Sequence, residues 1–377
     1  MPSVTFSSPA EEKEIKIALY DSISPSVKLL EYCFHYAWEE NGVIYKMDVS
    51  RVDYKDVING SLRNYDALVI GASGRQYFHA LNPKWKEEVK NFVANGGGYL
   101  GICGGANMAS MGYEKPRYPL DFIINKAALG FIDAYLNDDQ WEEWQYLWKD
   151  GGRSNIPIKQ KLQGEIFDGT ITRYITYAGG AGLYGMKKAK GIGIYLEEPS
   201  EVALLHFWIW FGKWIPWKKI TTDIKEYYSA AESTYGKGKV IVFSAHPEIP
   251  PRFNASVKEY FGLSIYGIPR YVYEWIGGHR MNYSYNWWIL RRSIAYIKEL
   301  PLPSFDELLV MVSYENGSIK AYAENAEKVE FYLDGKLMAT LNQPPYEIKI
   351  DLKGEHEIKA VAYHGNAMTW DEKIIEG

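Results

Sequence analysis

The sequence predicts an α/β fold built on a doubly wound, mostly parallel sheet, followed by an all-β sandwich. Three observations support this prediction. Apolar runs typical of buried strands alternate with helical segments between residues 14 and 110. Residues 96–110 read GGGYLGICGGANMAS, which has the composition of a strand, a sharp turn and a helix. After Pro301 the pattern changes to seven short alternating segments separated by turn signals such as Asn316-Gly317.

The predicted parallel part contains four strands and two longer helices. The strands are residues 14–20, 43–47, 65–71 and 99–102. The helices are residues 27–38, which follow an N-cap and an N1 proline at Ser24-Pro25, and residues 83–95, which end at three glycines. Because the carboxyl ends of parallel strands meet at one edge of such a sheet, we expect the loop after residue 71 to lie beside Cys103.

Cys103 is the candidate nucleophile. It stands at the apex of Gly101-Ile102-Cys103-Gly104-Gly105, where small neighbours leave the room that a strained nucleophile elbow needs. An inert buried cysteine is the alternative interpretation of this segment. A thiol with a catalytic role also needs a base, and the base needs a carboxylate that fixes its tautomer.

His246 and Glu248 are the candidate base and carboxylate. Residues 235–248 read YGKGKVIVFSAHPE, which predicts a glycine turn, a strand and a polar strand end. Residues i and i+2 of an extended chain face the same side, so these two side chains project together. With Cys103 they supply the three roles of a catalytic triad.

These motifs resemble the class I glutamine amidotransferase-like superfamily, and most closely the amidotransferase-like domain at the N-terminus of some biotin–protein ligases. The resemblance spans roughly residues 14–300 and is sharpest at residues 66–75, 96–106 and 235–248. It implies a flavodoxin-like sheet and the same three catalytic roles. Glutamine-using members carry a His-Gln pair shortly after the elbow, whereas this chain has Gly105-Ala106-Asn107-Met108. The resemblance therefore implies the catalytic triad, but it gives weaker support for glutamine as the substrate.

Further candidate site residues lie next to the elbow and in the loop after the third strand. A backbone N–H group of that loop and the N–H of the residue after Cys103 are candidate oxyanion donors, and an arginine is a candidate partner for a substrate carboxylate. These residues are Gly104, Gly71, Ser73, Gly74 and Arg75. An ordinary turn and a solvated arginine are the alternative interpretations.

Composition and charge exclude several classes of function. The net charge is −5, and no basic stripe exists to neutralise phosphates, so we expect no nucleic-acid partner. No run of 18 apolar residues predicts a transmembrane segment. No cluster of ligating side chains has metal spacing, and we predict neither a metal nor another cofactor. Two cysteines cannot make a disulfide framework, and Cys33 is interpreted as a small buried hydrophobe.

An aromatic-rich insertion interrupts the α/β pattern at about residues 113–234. Core packing, a subunit interface in a homo-oligomer and a stacking platform for a ligand are three interpretations of its tryptophans. These tryptophans are Trp141, Trp144, Trp148, Trp208, Trp210, Trp214 and Trp217. We interpret His206 as a core histidine and His279 as a surface histidine. Residues 253–260 predict a short helix.

The chain divides into four predicted parts. These are an N-terminal tail, residues 1–13; the α/β domain with its insertion, residues 14–300; a linker, residues 301–306; and a β-sandwich, residues 307–377. The last part, with the segments VEFYLDGK and HEIKAVAY, resembles bacterial Ig-like modules that accompany exported enzymes.

Two interpretations of the location remain. The start MPSVTFSSPAEEKE lacks the features of a signal peptide, which favours the cytoplasm. The Ig-like tail and the N-x-S sequons at Asn59, Asn254, Asn282 and Asn316 favour an extracellular or cell-surface protein. The second interpretation requires a signal or anchor outside the given sequence.

Two hypotheses of function follow. The first is a cysteine-dependent hydrolase or amidase that acts on an amide or related acyl bond of a small molecule or peptide. The second is a non-catalytic surface or assembly protein that uses the same fold as a binding scaffold, because a fold alone does not establish an activity. The distance between the thiol of Cys103 and the ring of His246 distinguishes them.

Overall fold

The computed structural model describes residues 11–137, 156–202, 207–210, 213–216, 223–251, 254–260, 270–277, 286–304 and 307–376. Within these ranges the protein is a mixed α/β structure. A large sheet contains both parallel and antiparallel strands, and a separate antiparallel sheet lies at the C-terminus. The prediction of an α/β fold with an all-β C-terminal part is confirmed at this level. Among the described helices, none is long and apolar enough to span a bilayer.

The strands of the described residues are β1 Glu11–Tyr20, β2 Tyr36–Glu40, β3 Val43–Val52, β4 Ala67–Ile70, β5 Gly98–Ile102, β6 Tyr135–Leu136, β7 Ile156–Gly164, β8 Gly169–Tyr177, β9 Leu183–Tyr184, β10 Lys190–Tyr195, β11 Phe207–Trp210, β12 Lys213–Pro216, β13 Tyr228–Tyr235, β14 Gly238–Phe243, β15 Asn254–Tyr260, β16 Arg270–Gly277, β17 Leu309–Glu315, β18 Ser318–Glu324, β19 Lys328–Leu333, β20 Lys336–Leu341, β21 Glu347–Lys349, β22 Glu355–His364 and β23 Ala367–Glu376.

The helices are α1 Pro25–Phe34, α2 Tyr54–Ile58, α3 Arg75–His79, α4 Pro83–Ala94, α5 Gly104–Ala109, α6 Pro119–Ala127, α7 Pro199–Val202 and α8 Trp287–Ile297. Two short 3-10 helices cover Ser61–Asn64 and Glu165–Phe167.

The centre of the large sheet is parallel, in the order β3-β1-β4-β5-β14. All residues of β4 and β5 are buried, as expected for parallel strands that helices cover on both faces. One face packs against α1 and α8, and the other against α4, α5 and α6. The carboxyl ends of these strands therefore meet at one edge, where the candidate site lies. Beyond β14 the sheet continues with the antiparallel strands β13, β10, β7 and β8.

The prediction of a helix over residues 27–38 is wrong at its C-terminal end. Helix α1 ends at Phe34, and the chain then forms β2, which pairs antiparallel with β3. The connecting residues Asn41 and Gly42 have φ angles of 53° and 78°, as a tight hairpin turn requires. Strand β2 also pairs with β23, where Tyr36 lies opposite Thr369. Pairing across this edge extends the large sheet into the C-terminal strands.

The seven predicted segments of the C-terminal part all form strands in the described chain. Strands β17, β18 and β21 make the separate antiparallel sheet. Strands β20, β19, β22 and β23 pair in that order and join the large sheet through β2. The two groups face each other through contacts of β17 with β22 and β23.

The prediction of a helix over residues 253–260 is also wrong. Residues 254–260 form strand β15, which pairs with β16 along its whole length. The hairpin of β11 and β12 joins the same four-stranded antiparallel sheet and carries Trp208, Trp210 and Trp214. Trp141, Trp144, Trp148, Trp217, His206 and His279 lie outside the described residues. The three interpretations of the tryptophans remain predictions.

Candidate active site

Cys103 lies at a sharp turn between β5 and α5. Its φ and ψ angles are 51° and −105°, a strained conformation for a residue with a side chain. A Cβ atom placed on Gly105 would lie 2.0 Å from the carbonyl oxygen of Ile70, so only glycine fits the start of α5 at this approach. The local geometry is that of the predicted elbow. The thiol residue itself is 8% exposed.

His246 follows β14, the parallel neighbour of β5. The backbone N–H of Cys103 donates to the carbonyl oxygen of Phe243 at 2.7 Å, which ties the elbow to the end of β14. The backbone N–H of His246 donates to the carbonyl oxygen of Thr176 at 2.8 Å. These two bonds hold the thiol and the imidazole at the same edge of the sheet.

Glu248 pairs with the imidazole of His246. The distance between His246 Nδ1 and Glu248 Oε1 is 2.8 Å, and Glu248 is fully buried. Because an ionised carboxylate only accepts, Nδ1 carries the proton and Nε2 is left as the basic atom. Nε2 is buried and makes no well-aligned hydrogen bond within the described chain. It is therefore available to exchange a proton with the neighbouring thiol.

The electrostatics of the imidazole depend on both partners. Burial alone lowers the pKa of His246, but the charges of Cys103 and Glu248 and the hydrogen bonds to both groups together raise that pKa well above its ordinary value. A raised imidazole pKa beside a thiol favours the thiolate–imidazolium pair over the neutral pair.

Two residues that the sequence analysis did not single out hold Glu248. The Ser26 hydroxyl donates to Glu248 Oε1 at 2.6 Å, and Trp287 Nε1 donates to the backbone oxygen of Glu248 at 3.0 Å. Ser26 begins α1 and Trp287 begins α8. The sequence contains no local signal for these contacts, since both partners are distant along the chain.

The predicted loop after β4 touches the elbow through Ser73. A Cβ atom placed on Gly104 would lie 2.3 Å from the carbonyl oxygen of Ser73 and 3.1 Å from its nitrogen. The Ser73 hydroxyl accepts from the N–H of Arg75 at 3.0 Å and donates to the carbonyl oxygen of Ser22 at 3.0 Å, which fixes the loop. The structure therefore brings Ser73 and Gly104 together.

The other three loop residues have different surroundings. Gly71 lies against α1, because a Cβ atom there would be 3.2 Å from Ser26 Oγ. Gly74 is the N-cap of α3. Arg75 is exposed. Burial is the largest cause that lowers the pKa of His79, and the charge of Arg75 lowers it further. Arg75 therefore lies on the outer side of α3, near His79.

Two buried side-chain oxygens near the elbow lack hydrogen-bond donors in the described chain. They belong to Gln76, which is fully buried, and Asn107, which is 5% exposed. Gln76 Nε2 would lie 2.6 Å from a Cβ atom on Gly104, and the N–H of Asn107 donates to the Cys103 carbonyl at 2.9 Å. Unpaired buried acceptors are costly unless a ligand or water pairs with them.

Tyr77 lies between these groups. Burial is the largest cause that raises its pKa, the charge of Cys103 raises it further, and a hydrogen bond from Asn107 partly opposes them. The elbow is thus lined by amide and phenol groups. Within the described ranges, no group of three or more His, Cys, Asp or Glu side chains is arranged to hold a metal ion.

Fold and geometry define a mixed α/β protein with a cysteine elbow facing a buried His–Glu pair. Residues 40–261 match the family model described as "Biotin-protein ligase, N terminal", and the match covers more than half of the chain. The chain therefore belongs to the biotin-protein ligase N-terminal family.

The chain is also similar to an uncharacterized protein of Chlamydia muridarum, with 31% identity over 103 residues, 26% of this chain. That match covers 39% of the relative's length. Among solved structures, cytoplasmic protein STM1381 from Salmonella typhimurium LT2 has 16% identity and a TM-score of 0.36, over 62% of this chain and 87% of that one. A β-galactosidase from Bacillus circulans sp. alkalophilus has 10% identity and a TM-score of 0.36, over 95% and 41% of the two chains. Similarities of this size carry no information about activity.

Proposed function

We propose that this protein is a cysteine-dependent hydrolase of the amidase type. The observation that carries the proposal is the buried contact of 2.8 Å between His246 Nδ1 and Glu248 Oε1, which leaves the opposite ring nitrogen to interact with Cys103. This arrangement corresponds to the nucleophile, base and orienting carboxylate of a triad. The strained elbow and the resemblance to amidotransferase-like proteins support the same assignment.

The proposed reaction begins with proton transfer from Cys103 Sγ to His246 Nε2. The thiolate attacks the carbonyl carbon of the substrate, and the carbonyl π electrons move to oxygen. Backbone N–H groups of Gly104 and of the loop at Ser73 and Gly74 stabilise that oxyanion. The intermediate collapses with transfer of the imidazolium proton to the leaving amine, and water, activated by the same imidazole, hydrolyses the thioester.

The unpaired buried acceptors favour an amide as the substrate. The side-chain oxygens of Gln76 and Asn107 have no donor in the described chain, and an amide N–H group supplies one. A site that hydrogen-bonds such a group rejects analogues without it, because its acceptors then stay unpaired. We therefore rank primary amides and peptide amides above esters.

The test is turnover of a panel of amides, including glutamine, with ammonia or amine release as the readout. We expect Cys103→Ala to lower turnover by at least about 10³-fold, as loss of a nucleophile does in other triads. Cys33→Ala is the matched cysteine control, because Cys33 is fully buried and outside the proposed reaction path. Equal turnover by wild type and Cys103→Ala contradicts the proposal.

The second candidate function is a binding scaffold that performs no catalysis. The observation that favours it is the low exposure of Cys103, 8%, because a substrate needs access to the sulfur. Two results together support this alternative. No amide of the panel is turned over, and the thiol of Cys103 is alkylated at the same rate in the wild type and in His246→Ala.

The finer assignments of the fold belong to the same proposal. We assign the large sheet to the flavodoxin-like arrangement of the amidotransferase-like superfamily and the C-terminal strands to an Ig-like module. We also propose an extracellular or cell-surface location, supported by the sequons and by the resemblance of the module to those of exported enzymes. Fractionation of the natural host with an antibody against the chain tests this location.

A further inference from the structure

Glu248 is an unusual group for the interior of a protein. It is fully buried, and burial of a charged carboxylate is costly unless hydrogen-bond donors surround it. Two described donors reach its Oε1 atom, His246 Nδ1 at 2.8 Å and Ser26 Oγ at 2.6 Å. Its Oε2 atom has no partner in the described chain. The Ser26 hydroxyl is therefore one of the two described hydrogen-bond donors to this carboxylate.

The fold fixes the position of Ser26 closely. Ser26 is the second residue of α1, after the N-cap Ser24 and the N1 residue Pro25. The Ser24 side chain accepts from the N–H of Ser26 at 3.3 Å. The positive end of the ten-residue helix also lies on the side of the carboxylate, which favours negative charge there.

The neighbouring backbone also leaves room for the hydroxyl of Ser26. A Cβ atom placed on Gly71 would lie 3.2 Å from Ser26 Oγ and 3.0 Å from a methyl carbon of Leu30. Glycine at this position keeps the space beside the hydroxyl open. Ser26 itself is 3% exposed, so water does not compete readily for its proton.

We propose that Ser26 is a positioning residue of the triad. Its hydroxyl holds Glu248 Oε1 where that atom accepts from His246 Nδ1. Helix α1 thereby orients the imidazole that faces Cys103. This inference rests on the proposed function, because it concerns the activation of the same thiol.

Loss of the hydroxyl has a specific consequence. With a single described donor left, the buried carboxylate holds the imidazole less firmly, and the pKa of His246 is raised less far above its ordinary value. The thiolate–imidazolium pair is therefore less populated on the acid side of neutrality. A hydrogen bond to a charged group corresponds to about one to two pH units. The reactivity of the fully ionised thiolate at alkaline pH does not depend on this bond.

The test is the pH profile of alkylation of Cys103 by iodoacetamide, measured by mass spectrometry of the peptide that contains it. For Ser26→Ala we expect the acid limb of the profile to move up by about one to two pH units, with the alkaline plateau unchanged. Ser26→Thr keeps a hydroxyl donor and retains the wild-type limb. Ser293→Ala is the matched control, since Ser293 is fully buried in α8 and its hydroxyl donates only to the Ile289 carbonyl, at 2.7 Å.

A double-mutant cycle shows whether Ser26 acts through Glu248. If it does, Ser26→Ala moves the profile no further when Glu248→Gln is already present. Equal displacements in both backgrounds overturn the inference, and so does a Ser26→Ala profile that coincides with the wild type. A change in the alkaline plateau together with a lower melting temperature also overturns it, because that pattern indicates a purely structural role.

The same data separate this inference from the proposed function. If Cys103 is alkylated no faster in the wild type than in His246→Ala, both the proposed function and the role of Ser26 are overturned. Fast wild-type alkylation that depends on His246, with no effect of Ser26→Ala, overturns only the role of Ser26.

Discussion

Arg291 allows the sharpest prediction about stability. It is 1% exposed on α8, and its guanidinium donates to the Cys33 carbonyl at 2.9 Å and to the Leu308 carbonyl at 2.8 Å. A third, longer bond of 3.4 Å reaches Thr369 Oγ1. The Cys33 carbonyl belongs to the last turn of α1, where helical carbonyls lack intrahelical donors. One side chain thus joins α1, α8 and the C-terminal strands.

The perturbation is Arg291→Met, which keeps much of the side-chain volume and removes every donor. Two buried carbonyl oxygens then lose a partner, at about 1–3 kcal/mol each. Thr369 Oγ1 keeps its own bond to the His35 carbonyl at 2.7 Å, so it adds little. The two penalties together predict a loss of about 2–6 kcal/mol in the free energy of unfolding.

The assay is equilibrium unfolding in urea, with Arg51→Met as the matched control. Arg51 makes a two-bond contact with Glu31, at 2.6 and 3.0 Å, but its side chain is 41% exposed. An exposed pair of this kind contributes about 0.2–1 kcal/mol. Equal losses for the two variants, or a loss below about 1 kcal/mol for Arg291→Met, contradict this prediction.

Two further predictions concern backbone packing and the second cysteine. We expect Gly104→Ala to lower the free energy of unfolding by about 1–3 kcal/mol, because the new Cβ atom would lie 2.3 Å from the Ser73 carbonyl oxygen. Gly74→Ala is the control: its nearest contact is at 4.0 Å, and we expect a change of less than about 0.5 kcal/mol. Similar urea midpoints for the two variants contradict the close approach at Gly104. Burial raises the pKa of Cys33 to about 12, so we expect no alkylation of Cys33 at pH 8 until the chain unfolds. Because the pKa of Cys33 is raised, its neutral thiol contributes fully to stability below the ordinary thiol pKa of about 8.5. This contribution is lost as the pH rises toward 12. Labelling of Cys33 in the native protein at pH 8 contradicts this account.

The parts of the fold with strong local patterns were predictable. Strands β4, β5 and β14 contain short apolar runs bounded by glycine and polar residues, and each overlaps a predicted strand. The elbow at Cys103 was predictable from the two glycines that follow it, because only glycine allows the close backbone approach found there. The C-terminal strands alternate with clear turn residues. In each case the residues that determine the structure are neighbours in sequence.

The rest depends on partners that are distant in the sequence. Residues 36–38 continue a helical pattern, but pairing with β3 and with β23, more than 320 residues away, favours a strand. The Asn41-Gly42 turn was a usable hairpin signal. Residues 254–260 became a strand because β16 pairs with them. Ser26 had no signal beyond its place at the start of a helix, because its partner lies 222 residues later.

The proposed function depends on activation of the Cys103 thiol by His246. The most direct measurement is the rate of Cys103 alkylation at pH 6.5 in the wild type and in His246→Ala. An ordinary thiol is only about 1% ionised at this pH, whereas the raised pKa of His246 favours the thiolate–imidazolium pair. We predict that the wild type reacts at least about tenfold faster, after allowance for the lower nucleophilicity of a stabilised thiolate. Equal rates in the two proteins contradict the account.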